Sequence, residues 1–324
     1  MASISANCKA PQLRTSPWKQ RQGHRMQSAL TNPAIVVDSL RYTYAGQTNA
    51  AVDGISFSVG TGEIFGLLGP SGAGKSTTQK ILTRQQRSFG GSVSVLGKPL
   101  NEWGQDFFEA IGVGFELPNH YLKFTAVENL KFFASLYRRA SRDPIELMSM
   151  VGLDKFADKR VETFSKGMRM RLNFVRAIQH DPDLVFLDEP TAGLDPVNAG
   201  IVKSIVSDLR KAGKTIVLTT HNMSDVDQLC DRVSFMVDGR FAALDTPEAL
   251  KTLHGRRTVR VTHGAVEESQ AEFPLDGLGD NARFLDLLRA GAVRRIHSQE
   301  ATLDKVFNDV TGHSLDQAEP ETAR

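Results

Sequence analysis

Two short stretches carry residues whose types and spacing could do chemistry. The first is Gly69-Pro70-Ser71-Gly72-Ala73-Gly74-Lys75-Ser76, followed by Thr77. It matches the pattern G-x-x-x-x-G-K-[ST] and directly follows the apolar run Ile64-Phe65-Gly66-Leu67-Leu68. Glycines let the backbone curl so that successive N–H groups point inward at phosphate oxygens, and the next helix N-terminus adds its positive end. In such a loop Lys75 reaches the β- and γ-phosphates and the Ser76 hydroxyl coordinates Mg²⁺. The second stretch is Leu184-Val185-Phe186-Leu187-Asp188-Glu189, four apolar residues and then two acids. A strand of this kind buries its apolar part and presents the carboxylates at its C-terminal end, where open α/β sheets bind ligands. Asp188 is then the metal carboxylate, and Glu189 the base that polarises an attacking water. Alone, a strand ending in Asp-Glu is common at surfaces; the phosphate loop gives it meaning.

The elements that must position these stretches alternate between strand and helix. Ile35–Val37, Ile55–Val59, Ile64–Leu68, Ser92–Leu96 and Ile111–Phe115 read as strands, and a helix starts at Lys75. Residues 125–180 change character. Thr125-Ala126-Val127-Glu128 is a capping-box signature that opens a helical stretch rich in Phe, Leu and Arg. Asp195 and Pro196 start a helix to about Arg210. Strands follow at Thr215–Thr219 and Val233–Val237, and Thr246-Pro247 opens a helix near Leu250. Thr258–Thr262 reads as a strand, and Ala282–Ala290 and Leu303–Val310 as helices. The alternation implies an α/β fold with a mostly parallel sheet.

Composition bounds the alternatives. The chain has 324 residues, 40% apolar and 23% charged, which excludes a fibrous or mainly disordered chain. Cys8 and Cys230 form no CxxC and no metal spacing, so a disulfide framework is not expected and a reducing compartment fits. No apolar run approaches the ~20 residues that span a bilayer. Net charge is +2, yet Lys9, Arg14, Lys19, Arg21 and Arg25 fall in residues 1–33, which hold no acid. The remaining body is slightly acidic, so a nucleic-acid partner is not expected. The basic tail, rich in Ser, Gln and Pro, reads as disordered. A targeting peptide, a membrane- or partner-binding arm, and an extension before a start at Met26 remain open for it.

Further motifs bring a resemblance into view. Phe164-Ser165-Lys166-Gly167-Met168 resembles the LSGGQ signature of ATP-binding cassette (ABC) ATPases. Ala192-Gly193-Leu194-Asp195 resembles their D-loop, His221 their switch histidine, and Tyr44 the aromatic that stacks on adenine. The resemblance covers about residues 34–253, with every motif in family order. It implies a P-loop NTPase core with a helical subdomain at about 120–180, and leaves 254–324 as a small C-terminal accessory α/β domain and tail. It further implies a homodimer that sandwiches two ATP with Mg²⁺, each ATP between the phosphate loop of one subunit and Ser165, Lys166, Gly167 and Met168 of the other. Asp195 belongs to the D-loop and also caps a helix, two roles that can hold at once, and His221 contacts the γ-phosphate. For Ser165 a plain helix-capping role is the competing reading, for His221 an ordinary surface histidine, and for Tyr44 the nearby Tyr42.

Two departures stand out. Lys166 and Met168 replace a Gly and the Gln of the signature, while Ser165 and Gly167 remain. In Ile111–Leu130, which resembles the Q-loop region, Glu116 replaces the Gln. A carboxylate there adds charge beside Asp188 and Glu189, and like charges demand a metal between them or a raised pKa. Glu116 is therefore read as a third Mg²⁺ ligand; pointing to solvent is the alternative.

Residues 301–312, the Ser-Lys-Gly-Met signature and the 116–126 stretch resemble drug- and antibiotic-exporting members, suggestively of the multidrug or fluoroquinolone type. The expectation is an ATPase subunit of an exporter, acting with an integral-membrane permease at the cytoplasmic face of the membrane. An importer ATPase, a soluble ABC-type ATPase acting on nucleic acid or ribosomes, and a non-catalytic regulator are the alternatives.

Overall fold

The computed structural model describes residues 33–254, 258–264, 268–299 and 302–313. Cys8 and the five basic residues of the N-terminal tail lie outside the described residues, as does the chain beyond His313. In chain order, β1 (Ile35–Tyr42), β2 (Val52–Val59) and β3 (Ile64–Leu68) lead into α1 (Lys75–Leu82). Next come β4 (Gly90–Val95), β5 (Lys98–Pro99), α2 (Phe107–Ala110) and β6 (Ile111–Gly114). The helical stretch holds α3 (Ala126–Ala134), α4 (Pro144–Met150) and α5 (Lys166–Ile178). Then follow β7 (Leu184–Asp188), α6 (Pro196–Lys211), β8 (Thr215–Thr220), α7 (Met223–Leu229), β9 (Arg232–Val237), β10 (Arg240–Asp245) and α8 (Pro247–His254). The C-terminal elements are β11 (Thr258–His263), β12 (Ser269–Pro274), α9 (Ala282–Arg289), β13 (Val293–Gln299) and α10 (Leu303–Thr311).

The central sheet has six strands in the order β10-β9-β3-β8-β7-β6. All its pairs are parallel except β9 with the edge strand β10. Every residue of β3 and β8 is buried, as expected of strands covered on both faces. Register aligns their ends: Leu68 pairs with Thr220, and Asp188 with Thr219. The turns after three neighbouring strands, at Gly69, Glu189 and His221, are therefore brought to one edge.

A mostly parallel sheet describes this layer, but β1, β2, β4 and β5 form a separate antiparallel sheet in the order β2-β1-β4-β5. The burial alternation of β2 is the mark of a strand with one solvated face. The inner residues of this antiparallel sheet, Ile35, Val37, Ile55, Phe57 and Val95, pack with Phe65, Leu67 and Phe186. Strands β10, β12 and β13 were not marked by any apolar run, because their sequences are polar or mixed and only pairing defines them.

The capping box forms as read. Thr125 Oγ1 accepts from the Glu128 N–H at 3.2 Å, and a Glu128 oxygen accepts from the Thr125 N–H at 2.7 Å. Leu130, Leu147, Leu172 and Val175 join Ile64 and Leu187 in one core, so the helical stretch shares its interior with the sheet.

Beyond α8, β12-β11-β13 make a small antiparallel sheet whose own core is Val259, Val261, Phe273 and Phe284. Sequence grouping assigned 303–310 to this unit, but α10 packs elsewhere. Its Leu303, Val306 and Phe307 are buried in the main core, with the Phe307 ring edge-on to Phe235 at 5.2 Å. An amphipathic pattern shows that a helix has an apolar face, not which surface receives it.

Candidate nucleotide site

The phosphate loop leaves β3 and wraps the start of α1. Gly74 has a φ of 105°, and a Cβ there would collide with the Ala51 carbonyl oxygen. A Cβ at Gly69 would strike the Met236 carbonyl oxygen of β9. Glycine is thus required by close backbone approach as well as by conformation. Lys75 is 9% exposed, and its Nζ donates to the Gly69 and Pro70 carbonyls at 2.6 and 2.9 Å. Burial lowers its pKa, against the opposing pull of Glu189, Asp188 and Glu116. All three carboxylates therefore bear on the same ammonium.

Asp188 closes β7, and its Oδ1 accepts from the Thr219 hydroxyl of β8. Glu189 adopts a left-handed φ of 48°. Its N–H donates to the Thr219 carbonyl at 3.0 Å, and its Oε1 lies 2.8 Å from His221 Nδ1. A left-handed non-glycine residue at a strand end is strain that surrounding contacts must hold. Burial raises the Glu189 pKa, partly offset by the hydrogen bond and charge of His221 and by Lys75. A more basic carboxylate held by an imidazole is suited to taking a proton from water.

These groups face one cleft of about 980 Å³, lined by Tyr44, Ser71 to Thr77, Glu116, Asp188, Glu189 and His221. Gly69 and Pro70 stand behind it, supplying carbonyls to Lys75. Tyr44 lines the cleft and shares a 3.0 Å hydrogen bond with Thr77 Oγ1. Tyr42 packs edge-on behind Tyr44, at 4.9 Å between ring centroids, and bonds to Gln86. The cleft is also lined by Ala192, the first residue of the D-loop stretch, and by Gln47, Thr48, Asn49, Asp238 and Gly239, which no nucleotide motif marks. Asp238-Gly239 is a legible hairpin turn; nothing in its sequence says that it borders a nucleotide cleft. Ser76, Asp188 and Glu116 present hard oxygen donors. Few carboxylates plus ligand phosphates is the way Mg²⁺ is usually held.

The signature residues and Asp195 do not line this chain's own cleft. Ser165 caps α5, accepting from the Met168 N–H at 3.2 Å. Asp195 caps α6, accepting from the Val197 and Asn198 N–H groups at 3.1 Å; a hydrogen bond from the Asn198 side chain, helped by these two, holds its carboxyl below the usual range. Signature and D-loop lie side by side. The Lys166 stem runs along Gly193, where a Cβ would lie 3.5 Å from Cε, and Gly167 faces Leu194.

A phosphate loop, a carboxylate pair and a histidine at the C-terminal edge of a parallel sheet define a nucleoside-triphosphate-binding protein of the P-loop class. Comparison with known proteins narrows it. Residues 52–192 match the ABC transporter family, and residues 257–300 match the fluoroquinolone efflux ABC transporter C-terminal domain. The chain is 54% identical over 285 residues to a fluoroquinolones export ATP-binding protein of Mycobacterium tuberculosis, covering 87% of this chain and 94% of that protein. It is 34% identical over 307 residues to a linearmycin resistance ATP-binding protein of Bacillus subtilis, covering 86% and 98%. It is 37% identical over 247 residues to the Nod factor export ATP-binding protein I of Rhizobium meliloti, covering 74% and 73%. A solved ATP-binding subunit of an ABC transporter superposes with a TM-score of 0.63 at 27% identity, covering 68% of this chain and 93% of that one. The chain belongs to the ABC transporter family, among ATP-binding proteins of export systems.

Proposed function

We propose that this chain hydrolyses ATP with Mg²⁺ and drives efflux of a drug-like small molecule through a separate integral-membrane permease. The observation that carries the reading is the Glu189–His221 pair, 2.8 Å apart, at the mouth of the cleft that holds Lys75. Lys75 exchanges its two carbonyl partners for β- and γ-phosphate oxygens, while loop N–H groups donate to the phosphates. Mg²⁺, held by Ser76, Asp188 and Glu116, would neutralise phosphate charge. Glu189 accepts a proton from the attacking water, and His221 orients Glu189.

Ser165, Lys166, Gly167 and Met168 are at or near the surface and outside their own cleft, which supports their meeting the nucleotide of a second copy. Asp195 lies in the same interface. Closing of this homodimer on ATP, and reopening after hydrolysis, would move the permease between its two orientations. Exposed rings at Tyr121, Phe124 and Phe132, close in sequence to Glu116, fit an apolar permease segment. No helix among the described residues is long and apolar enough to cross a membrane. A peripheral place beside the permease, at the cytoplasmic face of the membrane, completes the reading. The 54% identity to a fluoroquinolones export protein and the C-terminal match support a cargo of that class.

Copurification tests this reading. A C-terminally tagged chain, in a Glu189→Gln background with ATP and Mg²⁺, is expected to bring down a stoichiometric multi-span protein. Ribosomes or nucleic acid in its place would overturn export. Two site predictions accompany it. Tyr44→Ala is expected to weaken ATP binding by about 1–3 kcal/mol, the usual worth of base stacking, or roughly 5- to 150-fold in Kd. Tyr44→Phe, which loses only the Thr77 hydrogen bond, should cost less; calorimetric titration separates the two. Glu116→Gln is expected to raise the Mg²⁺ concentration for half-maximal ATPase by about threefold to tenfold, on the order of 1 kcal/mol. An unchanged Mg²⁺ dependence removes Glu116 from the metal site.

A further inference from the structure

Helix α5 begins at the signature and runs under the segment that carries Glu116. Ser165, Arg169, Asn173 and Arg176 fall at i, i+4, i+8 and i+11, along one face of a helix. Three of them grip that segment. The Asn173 Nδ2 donates to the Phe115 carbonyl at 2.7 Å, which fixes the peptide unit that joins Phe115 to Glu116. The Arg176 guanidinium donates to the Asn119 carbonyl at 2.5 Å and to Asn173 Oδ1 at 2.7 Å. The Arg169 carbonyl lies 3.1 Å from His120 Nε2.

Asn173 is 2% and Arg176 7% exposed. Among the described residues no carboxylate pairs with Arg176; its guanidinium also lies over the Phe133 ring, 4.4 Å away. A buried guanidinium without a counter-ion is a costly way to fill space. A device that must hold two backbone carbonyls in fixed positions accounts for it. Arg176 also touches the aromatic cluster that includes Tyr121, Phe132 and Phe133, so one side chain contacts both the Glu116 segment and the exposed apolar surface.

We infer that Asn173 and Arg176 are positioning residues that hold Glu116 in register with α5. The inference rests on the proposed reading of Glu116 as a Mg²⁺ ligand. Asn173 touches neither nucleotide nor metal; it acts through the Phe115–Glu116 peptide.

A double-mutant cycle on the full chain tests it, read as the Mg²⁺ concentration for half-maximal ATPase. Asn173→Ala is expected to raise this value about as much as Glu116→Gln does, and the double variant no further, because interacting sites are not additive. Asn173→Asp keeps the volume and can pair with Arg176, but has no donor for the Phe115 carbonyl. It is expected to melt at least as high as Asn173→Ala and yet keep the Mg²⁺ defect, which a merely structural role would not do. Normal Mg²⁺ dependence in either Asn173 variant, or an additive double variant, overturns the inference. If Glu116→Gln alone is silent, the metal reading fails first; failure of the positioning role leaves that single variant defective. Wild-type chain without ATPase activity would instead refute the proposed function.

Discussion

Glu189→Gln is expected to lower ATP turnover by about 10²- to 10⁴-fold, the usual worth of a positioned general base, while ATP binding persists. The amide keeps an acceptor for His221 but cannot take a proton from water. Single-turnover hydrolysis beside nucleotide titration checks this; loss of both together would mean that Glu189 only shapes the cleft. A second consequence follows from its raised pKa, caused first by burial. The folded state binds the Glu189 proton more tightly than the unfolded chain does. This carboxyl therefore adds stability below its unfolded pKa, and that contribution is lost as pH rises through the folded pKa. At about pH 7 the buried charge is a liability that Gln removes, so the variant should melt higher than wild type. Near pH 4 and below the gap should shrink, because both states become protonated. A variant that melts lower than wild type at neutral pH would show that the His221 and Lys75 attractions outweigh desolvation.

Phe307→Ala is expected to cost about 3–5 kcal/mol, the range for emptying a fully buried aromatic site. At about 2.1 cal/mol/K of unfolding entropy per residue, a chain of 324 residues would melt lower by roughly 4–7 °C. Phe307 has no measurable exposure and meets Phe235 edge-on. Phe235 precedes Met236, whose carbonyl backs Gly69 of the phosphate loop. The variant should therefore bind ATP more weakly as well as melt earlier. Scanning calorimetry with and without nucleotide measures both. A fall of less than about 2 °C would mean that α10 is not part of the nucleotide-binding core.

Legibility followed the range of the forces involved. The Gly69–Ser76 loop could be read because its function is local: consecutive N–H groups and the next residues on a helix do the work. The capping box at Thr125 and the caps at Ser165 and Asp195 were legible for the same reason, since a side chain three residues away satisfies the free backbone donors. Asp188 and Glu189 were legible as a strand end, but not the left-handed φ of Glu189 or its bond to His221, 32 residues on. Asn49, Asp238 and Gly239 carry no signal of a nucleotide cleft; the fold brings their turns to it.

By itself the sequence determined the α/β alternation, the phosphate loop, the acidic strand end and the order of motifs that marks the family. Each is written in side-chain type and short spacing, which chain geometry turns into local structure. Only the tertiary structure decided that β1, β2 and β4 form an antiparallel sheet apart from the parallel one, and that α10 leaves the C-terminal unit for Phe235. It likewise decided that Asn173 and Arg176 hold the Glu116 segment from a helix that starts at Ser165. Burial, pairing and hydrogen bonds between distant residues depend on which surfaces meet. An apolar face or a buried polar side chain specifies that it needs a partner; packing of the whole chain chooses the partner.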